Sequence, residues 1–131
     1  MGNRAVIKME GVDAGIYLHW NGGRDTVEPM LAVAKEYGLR GDDYGIARLT
    51  QMFGNFIGGT LSMGVNSLEC LDQDNGDNGV YIIDVEFNIV GREFQRTYEQ
   101  DAHDFHEMKK HIHSINDQFF LRTPAATLLP V

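Results

Sequence analysis

HWNGGRD, residues 19–25, is the stretch at which the chain changes from a strand pattern to a helix pattern. The apolar run Ile16–Leu18 precedes it, and a segment with helical periodicity begins near Thr26. The pair Gly22–Gly23 permits positive φ angles, which would turn the backbone N–H groups toward one point. The first turn of the following helix adds free N–H groups and a partial positive charge. The stretch therefore predicts a strand-to-helix turn and a candidate anion-binding site.

The side chains of this turn suit a small ligand that carries a base and a phosphate. Trp20 offers a flat apolar face, Asn21 a donor and an acceptor, and Arg24 a forked cation for phosphate. The alternative is purely structural, because glycine-rich turns are common and Trp20 could belong to the core. The heptapeptide alone leaves both interpretations open.

Composition and charge narrow the class of protein. The 131 residues suffice for one domain with a sizeable core, followed by a tail at 121–131 that lacks periodicity. Eleven basic against nineteen acidic residues give a formal charge of −8, which argues against binding a nucleic-acid polymer or an acidic membrane. Cys70 cannot form an intrachain disulfide, and residues 1–4 lack the apolar core of a signal peptide. We therefore expect a cytoplasmic protein.

Two amphipathic helices are predicted after the turn. The first is expected at Thr26–Tyr37, with Thr26 as its N-cap and Gly38 as a left-handed C-cap. The second is capped by Asp42 or Asp43 and is stopped by the pair Gly58–Gly59. Both helices present one apolar face, as helices that cover a sheet do.

The remaining segments predict an α+β domain. An antiparallel hairpin is expected from Ala5–Glu10 and Ile16–Trp20 at the start of the chain. Later segments with clear patterns are a strand at Thr60–Asn66, a polar loop at Asp72–Gly79, a long strand at Val80–Val90 and a final helix at Asp101–Gln118. We expect an antiparallel sheet with helices on one face. The heptad-like seam of the final helix predicts packing on the sheet or on a second subunit.

Two glycines lie inside predicted elements. Gly54, in the second helix, costs about 1 kcal/mol relative to alanine, which predicts a close contact there. Gly64 interrupts the third strand and predicts either a bulge or the approach of another group.

Metal binding and catalysis find little support in the residue spacing. The acidic loop fails the EF-hand pattern whether counting starts at Asp72 or at Asp74, although a looser calcium site stays an alternative. Nucleophile motifs, dinucleotide motifs and P-loop motifs are absent from the sequence. Four of the five histidines cluster in the final helix, but their spacing prevents convergence on one metal within one chain: His103, His106, His111 and His113. We expect no catalytic residues, no cofactor and no metal.

The arginines are the stronger signal for an anionic ligand. Arg24 follows the glycine pair, Arg48 borders the apolar stripe of the second helix, and Arg92 closes the long strand. In an acidic chain these residues are candidates for bidentate recognition of phosphate. The alternative for each is a surface ion pair with one of the many carboxylates.

Six segments of the chain are similar to one family of small proteins: residues 2–7, 17–25, 44–49, 58–62, 74–79 and 90–94. Together they resemble the first-described Thoeris anti-defence family of phages and prophages of Gram-positive bacteria. The resemblance implies a sponge that binds the glycocyclic ADP-ribose signal made by bacterial TIR-domain proteins and does not cleave it. It covers roughly residues 2–94.

The resemblance also implies roles for individual residues. Arg24 and Arg92 would hold the diphosphate, and Asn75 would hydrogen-bond the base or the ribose. Trp20, or an apolar residue near Met63, would pack on the adenine; the glycines and Asn21 of the turn would line the same site.

The resemblance extends to assembly. Members are thought to hold cyclic oligonucleotides at a second site that oligomerisation creates, and Arg48 would lie there. We therefore expect a homo-oligomer, a dimer or a hexamer, in the cytoplasm of an infected bacterium. Its function would be to sequester a cyclic ADP-ribose-type or cyclic-nucleotide immune signal. The alternatives are an enzyme acting on nucleotide or ADP-ribose ligands, and an acidic inhibitor that binds a bacterial defence enzyme.

Overall fold

The computed structural model of the protein describes residues 3–58, 62–96 and 104–120, in which five strands and three helices form. In chain order they are β1 Ala5–Met9, β2 Ala14–Leu18, α1 Arg24–Tyr37, α2 Asp43–Ile57, β3 Met63–Ser67, β4 Val80–Ile83, β5 Ile89–Glu93 and α3 Phe105–Phe120, with a short 3₁₀ turn at Leu68–Cys70. The α+β class predicted from the sequence is confirmed. No helix of these residues is long and apolar enough to cross a membrane.

The strands form one mixed sheet in the order β3-β2-β1-β4-β5. β1 pairs antiparallel with β2 and β2 antiparallel with β3, which confirms the first hairpin. β4 pairs antiparallel with β5 but parallel with β1, so the expectation of a wholly antiparallel sheet is corrected at this one pair. The parallel pair arises because the chain leaves β3 at one end of the sheet and returns through the loop 72–79 to the start of β1. There the N–H of Asn78 donates to the carbonyl of Arg4.

The helices cover one face of the sheet. Alternate residues of β1, namely Ala5, Ile7 and Met9, are fully buried and share the core with residues of all three helices. On the opposite face, Leu68 and Leu71 lie against Gly15. The sheet therefore has one face packed against helices and another that a single chain segment covers in part.

α1 begins two residues earlier than predicted. Arg24 is its first residue and Gly23 its N-cap, with extended backbone angles and no side-chain cap, whereas Thr26 is buried within the first turn. The prediction was wrong because it looked for a capping side chain, while the carbonyl of Gly23 accepts the first helical N–H, that of Val27. Gly38 adopts the predicted left-handed conformation, with φ 71°.

α2 follows its predicted signals. Asp42 is the N-cap, and its carboxylate accepts hydrogen bonds from the N–H groups of Tyr44 and Gly45. Gly58 ends the helix and donates to the carbonyl of Gly54. The close contact predicted at Gly54 is wrong, since a Cβ built there meets no heavy atom within 4 Å.

Gly54→Ala is therefore expected to stabilise the protein by about 1 kcal/mol, because alanine restricts the unfolded chain and meets no obstacle in the helix. Chemical denaturation measures the change. Exposed Ala47 in the same helix provides the reverse control, since Ala47→Gly should lower the free energy of unfolding by a similar amount. A loss of stability in Gly54→Ala would contradict the assignment.

The predicted long strand Val80–Val90 is wrong. β4 ends at Ile83, and the chain reverses at Asp84, whose carboxylate accepts from the N–H groups of Glu86 and Asn88. Phe87 sits in this turn at φ 67° and is nevertheless buried in the core. Because Phe87 is apolar and buried although it lies in the turn, the alternation of apolar and polar residues continues past Ile83. The pattern therefore predicted one strand where the chain in fact reverses.

The third strand is confirmed at Met63–Asn66 and extends one residue further than predicted, to Ser67. It begins at Met63, and residues 59–61 lie outside the described ranges. Gly64 pairs with Tyr17 in a regular register, so the bulge considered for it is wrong.

α3 packs on α1 and α2 of the same chain. Ile112 and Asn116 are fully buried, and Asn55 of α2 donates its amide to the Oδ1 of Asn116 at 2.9 Å. The predicted seam is only partly buried, since Phe119 stays 55% exposed. Residues 101–103 of the predicted helix, which include His103, and the tail 121–131 lie outside the described residues.

A charged cluster holds α3 against the end of α1. His113 bonds Glu36 through Nε2 at 2.7 Å and Asp117 through Nδ1 at 2.8 Å, while Tyr37 donates to Asp117 and Lys109 bonds Glu36. Burial lowers the pKa of His113, but its bonds with the two carboxylates outweigh burial, so the pKa lies above the ordinary 6.5. The imidazolium is thus stabilised in the folded protein.

This cluster predicts a pH dependence of stability. Because the folded pKa is raised, its contribution is complete below the unfolded pKa of about 6.5 and disappears as the pH rises through the folded value. We expect His113→Gln to lose stability at about pH 5.5 and to lose much less at about pH 8.5, measured by denaturant titration. Exposed His106 is the control, and an equal pH dependence in His106→Gln would contradict the role of His113.

Candidate functional site

One end of the sheet collects most of the segments that the sequence singled out. β2 and β5 end there, and β1, β3 and β4 begin there, as the strand register requires. The pairs that fix it are Ala5 with Leu18, Leu18 with Met63, Val6 with Val80 and Val80 with Glu93. Residues 19–25, Met63, the loop 72–79 and Arg92 therefore lie at the same end of the strands, spread across the sheet from β3 to β5, and we call this end the turn edge.

Tyr81 connects the two halves of the turn edge. It is fully buried, and its hydroxyl donates to the carbonyl of Gly22 at 2.7 Å. The guanidinium carbon of Arg92 lies 3.8 Å from the centre of its ring, and Nη2 of Arg92 donates to the carbonyl of Asn78 at 2.7 Å. Arg92 is thus held on an aromatic face by a cation–π contact. Sequence reasoning missed Tyr81 because it reads as one more apolar strand residue; its buried hydroxyl, which needs a partner, was the usable signal.

The turn itself is fixed to the start of β1. The N–H of Gly22 donates to the carbonyl of Asn3, and the N–H of Asn3 donates to the carbonyl of His19. A Cβ on Gly22 would lie 2.5 Å from the Asn3 oxygen, so glycine is required there for close approach. The positive φ expected at the glycine pair is instead at Asn21, with φ 63°, while Gly23 is extended. The predicted arrangement of N–H groups around two left-handed glycines is therefore wrong.

Arg24 is the first residue of α1 and therefore lies at the N-terminus of the helix. Its Nε donates to Glu28 at 2.6 Å, an ion pair one helical turn apart. This is the structural alternative considered from the sequence. An anionic ligand at the turn edge would compete with Glu28 for the guanidinium.

Trp20 is not a core residue. Its side chain is 45% exposed and makes an edge-on contact with His19 at 5.1 Å between ring centres. Nδ1 of His19 forms a hydrogen bond with the hydroxyl of Tyr17 at 3.0 Å. The exposed face of Trp20 leaves room for a flat ring to stack.

Asn75 is used by its own loop. It is 3% exposed, its amide nitrogen donates to the carbonyls of Asp72 and Gly79, and its Oδ1 accepts from the N–H groups of Asp77 and Gly79. These contacts correspond to the Asx-turn alternative. In this conformation Asn75 positions the loop and does not present its amide to a ligand.

Two further ion pairs tie the loop 72–79 to its neighbours. Arg4 bonds Asp77 at 2.7 Å and Arg96 bonds Asp74 at 3.0 Å. Burial raises the pKa of Asp77, but hydrogen bonds from Arg4 outweigh it and hold the pKa below its ordinary value. Asp77 therefore keeps its charge, and with it the bond to Arg4, around neutral pH.

Two predicted site residues lie apart from this network. Met63 is half-buried beside Leu18 and packs against the core. Arg48 is exposed on α2, where its guanidinium carbon lies 5.9 Å from the ring centre of Phe120. Within residues 3–58, 62–96 and 104–120, no three histidine, cysteine or acidic side chains lie close enough to hold a metal ion.

Comparisons with known proteins find no relative that could identify the chain. No protein-family model matches it, and neither a curated protein nor a solved structure does.

Proposed function

We propose that the protein binds a small phosphate-bearing nucleotide signal of the cyclic ADP-ribose type at the turn edge and sequesters it without cleaving it. The observation that carries the proposal is the pair of Tyr81 contacts, which fix Arg92 and Gly22 at the same edge. A guanidinium next to a helix N-terminus is a favourable environment for phosphate.

The prior ordering of Arg92 favours tight binding. Its side chain already lies on the Tyr81 ring and bonds Asn78, so a ligand does not have to immobilise a free side chain. Trp20 supplies an exposed aromatic face for the base, and Arg24 a second cation. A protein that only sequesters needs no general base, only enough contacts to compete with the receptor of the signal.

The family resemblance gives this chemistry a biological setting. A phage or prophage protein that removes an immune signal would act in the cytoplasm of the infected host as a homo-oligomer, a dimer or a hexamer. A second, oligomer-made nucleotide site would include Arg48, which is exposed on α2.

Calorimetry of the purified protein with glycocyclic ADP-ribose, and with cyclic di- and trinucleotides, tests the proposal. Mass spectrometry of the ligand released by heat should recover it unchanged. Absence of binding to all of these ligands would overturn the proposal, and recovery of an altered ligand would instead favour an enzyme. Pull-down of a protein partner by a preparation that binds no nucleotide would favour the inhibitor.

Glu28→Gln is expected to raise affinity for the anionic ligand about threefold, because it removes the carboxylate that competes for Arg24. Isothermal titration measures the change. Glu86→Gln has the same change of charge in the turn between β4 and β5, at the other end of the sheet, and should leave the affinity unaltered. Equal effects of the two variants would show that net charge, and not the Arg24 pair, is responsible.

A further inference from the structure

Gly64 occupies the middle of β3 for no reason that the strand itself supplies. Its φ is not positive, and it pairs with Tyr17 in a regular register. A Cβ built on it would meet no heavy atom within 4 Å. Neither backbone conformation nor packing therefore requires glycine at this position. The residue is nevertheless costly, since a glycine within a strand is about 0.5–1 kcal/mol less favourable than alanine.

A cavity lies where a side chain at position 64 would project. Gly64 lines a cavity of about 280 Å³ together with Tyr17, Asn66, Leu71 and Asp72. Residues paired across neighbouring strands project to the same face, so Gly64 and Tyr17 lie side by side. This is the face opposite the helices, since the adjacent Ile16 and Leu18 belong to the core.

The lining combines an aromatic face with unused hydrogen-bonding groups. The half-buried ring of Tyr17 is fixed by the bond between its hydroxyl and His19. Asp72 and Asn66 are exposed. Within the described part of the chain, the carboxylate of Asp72 has no hydrogen bond to a protein group, and the amide of Asn66 bonds protein only through its Oδ1, which accepts from the N–H of Ser67. A stacking surface, an amide donor and a carboxylate acceptor therefore surround an open space.

We propose that this cavity is a binding site for a guanine-type base. The ring stacks beside Tyr17 over Gly64, two adjacent N–H groups of the base donate to the carboxylate of Asp72, and the amide of Asn66 donates to the base carbonyl. A carboxylate only accepts, so it selects an edge with two donors. Adenine presents a ring-nitrogen acceptor beside its amino group, which opposes the lone pairs of Asp72.

The cavity lies on the sheet face opposite the residues that would hold the turn-edge ligand, although Asp72 is the first residue of the loop 72–79. Tyr81 belongs to the helix-covered core, whereas Tyr17 and Gly64 face the other way. The proposal therefore does not depend on binding of a cyclic ADP-ribose signal, and each can fail without the other.

Guanosine is the appropriate probe, because it lacks the phosphate group that Arg92 is proposed to bind. Titration of isotope-labelled protein followed by NMR should shift the amide signals of Gly64 and Asp72 in a saturable manner. Adenosine should bind at least about tenfold more weakly, the loss expected when a carboxylate faces an acceptor.

Gly64→Val is the decisive variant. The added β-branched side chain fills open space in a strand, so we expect an unchanged or raised melting temperature together with a loss of guanosine binding. Asp72→Asn should weaken guanosine binding about tenfold. Exposed Glu69 is close in sequence and does not line the cavity, so Glu69→Gln provides the charge-matched control.

Three results would overturn the proposal: no saturable binding of guanosine, equal affinity for adenosine and guanosine, or undiminished guanosine binding by folded Gly64→Val. Arg92→Glu should leave guanosine affinity unaltered, which separates this site from the turn edge.

Discussion

Arg92→Glu is expected to lower the affinity for glycocyclic ADP-ribose by about 100-fold or more, the largest functional effect we predict for the turn edge. The change removes a charge-assisted hydrogen-bond donor to phosphate and places a carboxylate beside the ligand's own negative charge. It also removes the cation that rests on the Tyr81 ring. Titration calorimetry at fixed ionic strength measures the loss.

Three companion variants make this result interpretable. Arg92→Lys keeps the charge but loses the planar fork, so an intermediate loss would indicate bidentate recognition. Lys110 is an exposed residue of α3, and Lys110→Glu has the same change in net charge and should bind normally. Tyr81→Phe keeps the ring and removes the hydroxyl that bonds Gly22, which tests whether the two halves of the edge are coupled. Unchanged affinity in a folded Arg92→Glu protein would refute the proposed site.

Gly45→Ala is expected to destabilise the protein by about 3 kcal/mol, the largest effect on stability. Gly45 is buried in the first turn of α2, and a Cβ there would overlap the carbonyl oxygen of Arg40 and lie 3.0 Å from the Phe87 ring. Because the opposing atom is backbone, relief requires movement of the chain between α1 and α2. Chemical denaturation gives the difference in free energy of unfolding.

The comparison with Gly54 makes the test specific. Both glycines lie in α2, yet only Gly45 is confined by neighbouring atoms. The same substitution should therefore destabilise at Gly45 and stabilise at Gly54. Similar effects at the two positions would contradict the packing described for the start of α2.

The parts of the fold that depend on local chemistry were predictable. The carboxylate of Asp42 accepts hydrogen bonds from the first N–H groups of α2, and Gly38 adopts the left-handed conformation that ends α1. The reversal after Ile83 was not predictable from alternation, because Phe87 is buried although it lies in a turn. The left-handed conformation of Phe87 is stabilised by tertiary packing, which no local pattern reports.

The composition of the turn edge was predictable only in part. The first hairpin alone places residues 19–25 at its open end. Their meeting with Arg92 depends on the parallel pairing of β1 with β4, a contact between distant segments that periodicity does not encode. The role of Asn75 could not be read from residue type either, since an asparagine in a polar loop can hold the loop or a ligand equally well.

The parallel pair also determines when the sheet can close during synthesis. Of the five described strands of the sheet, β1 is synthesised first, yet it lies at the centre of the sheet. Its second neighbour, β4, follows only after both α1 and α2. Joining Val6 to Val80 closes a long loop, a slow and non-local event in folding. Tyr81 belongs to β4 and Arg92 to β5, so both join the sheet with or after this closure. A nascent chain that ends before β5 therefore contains residues 19–25 but lacks Arg92. Ligand binding during synthesis would therefore report the closing of the sheet.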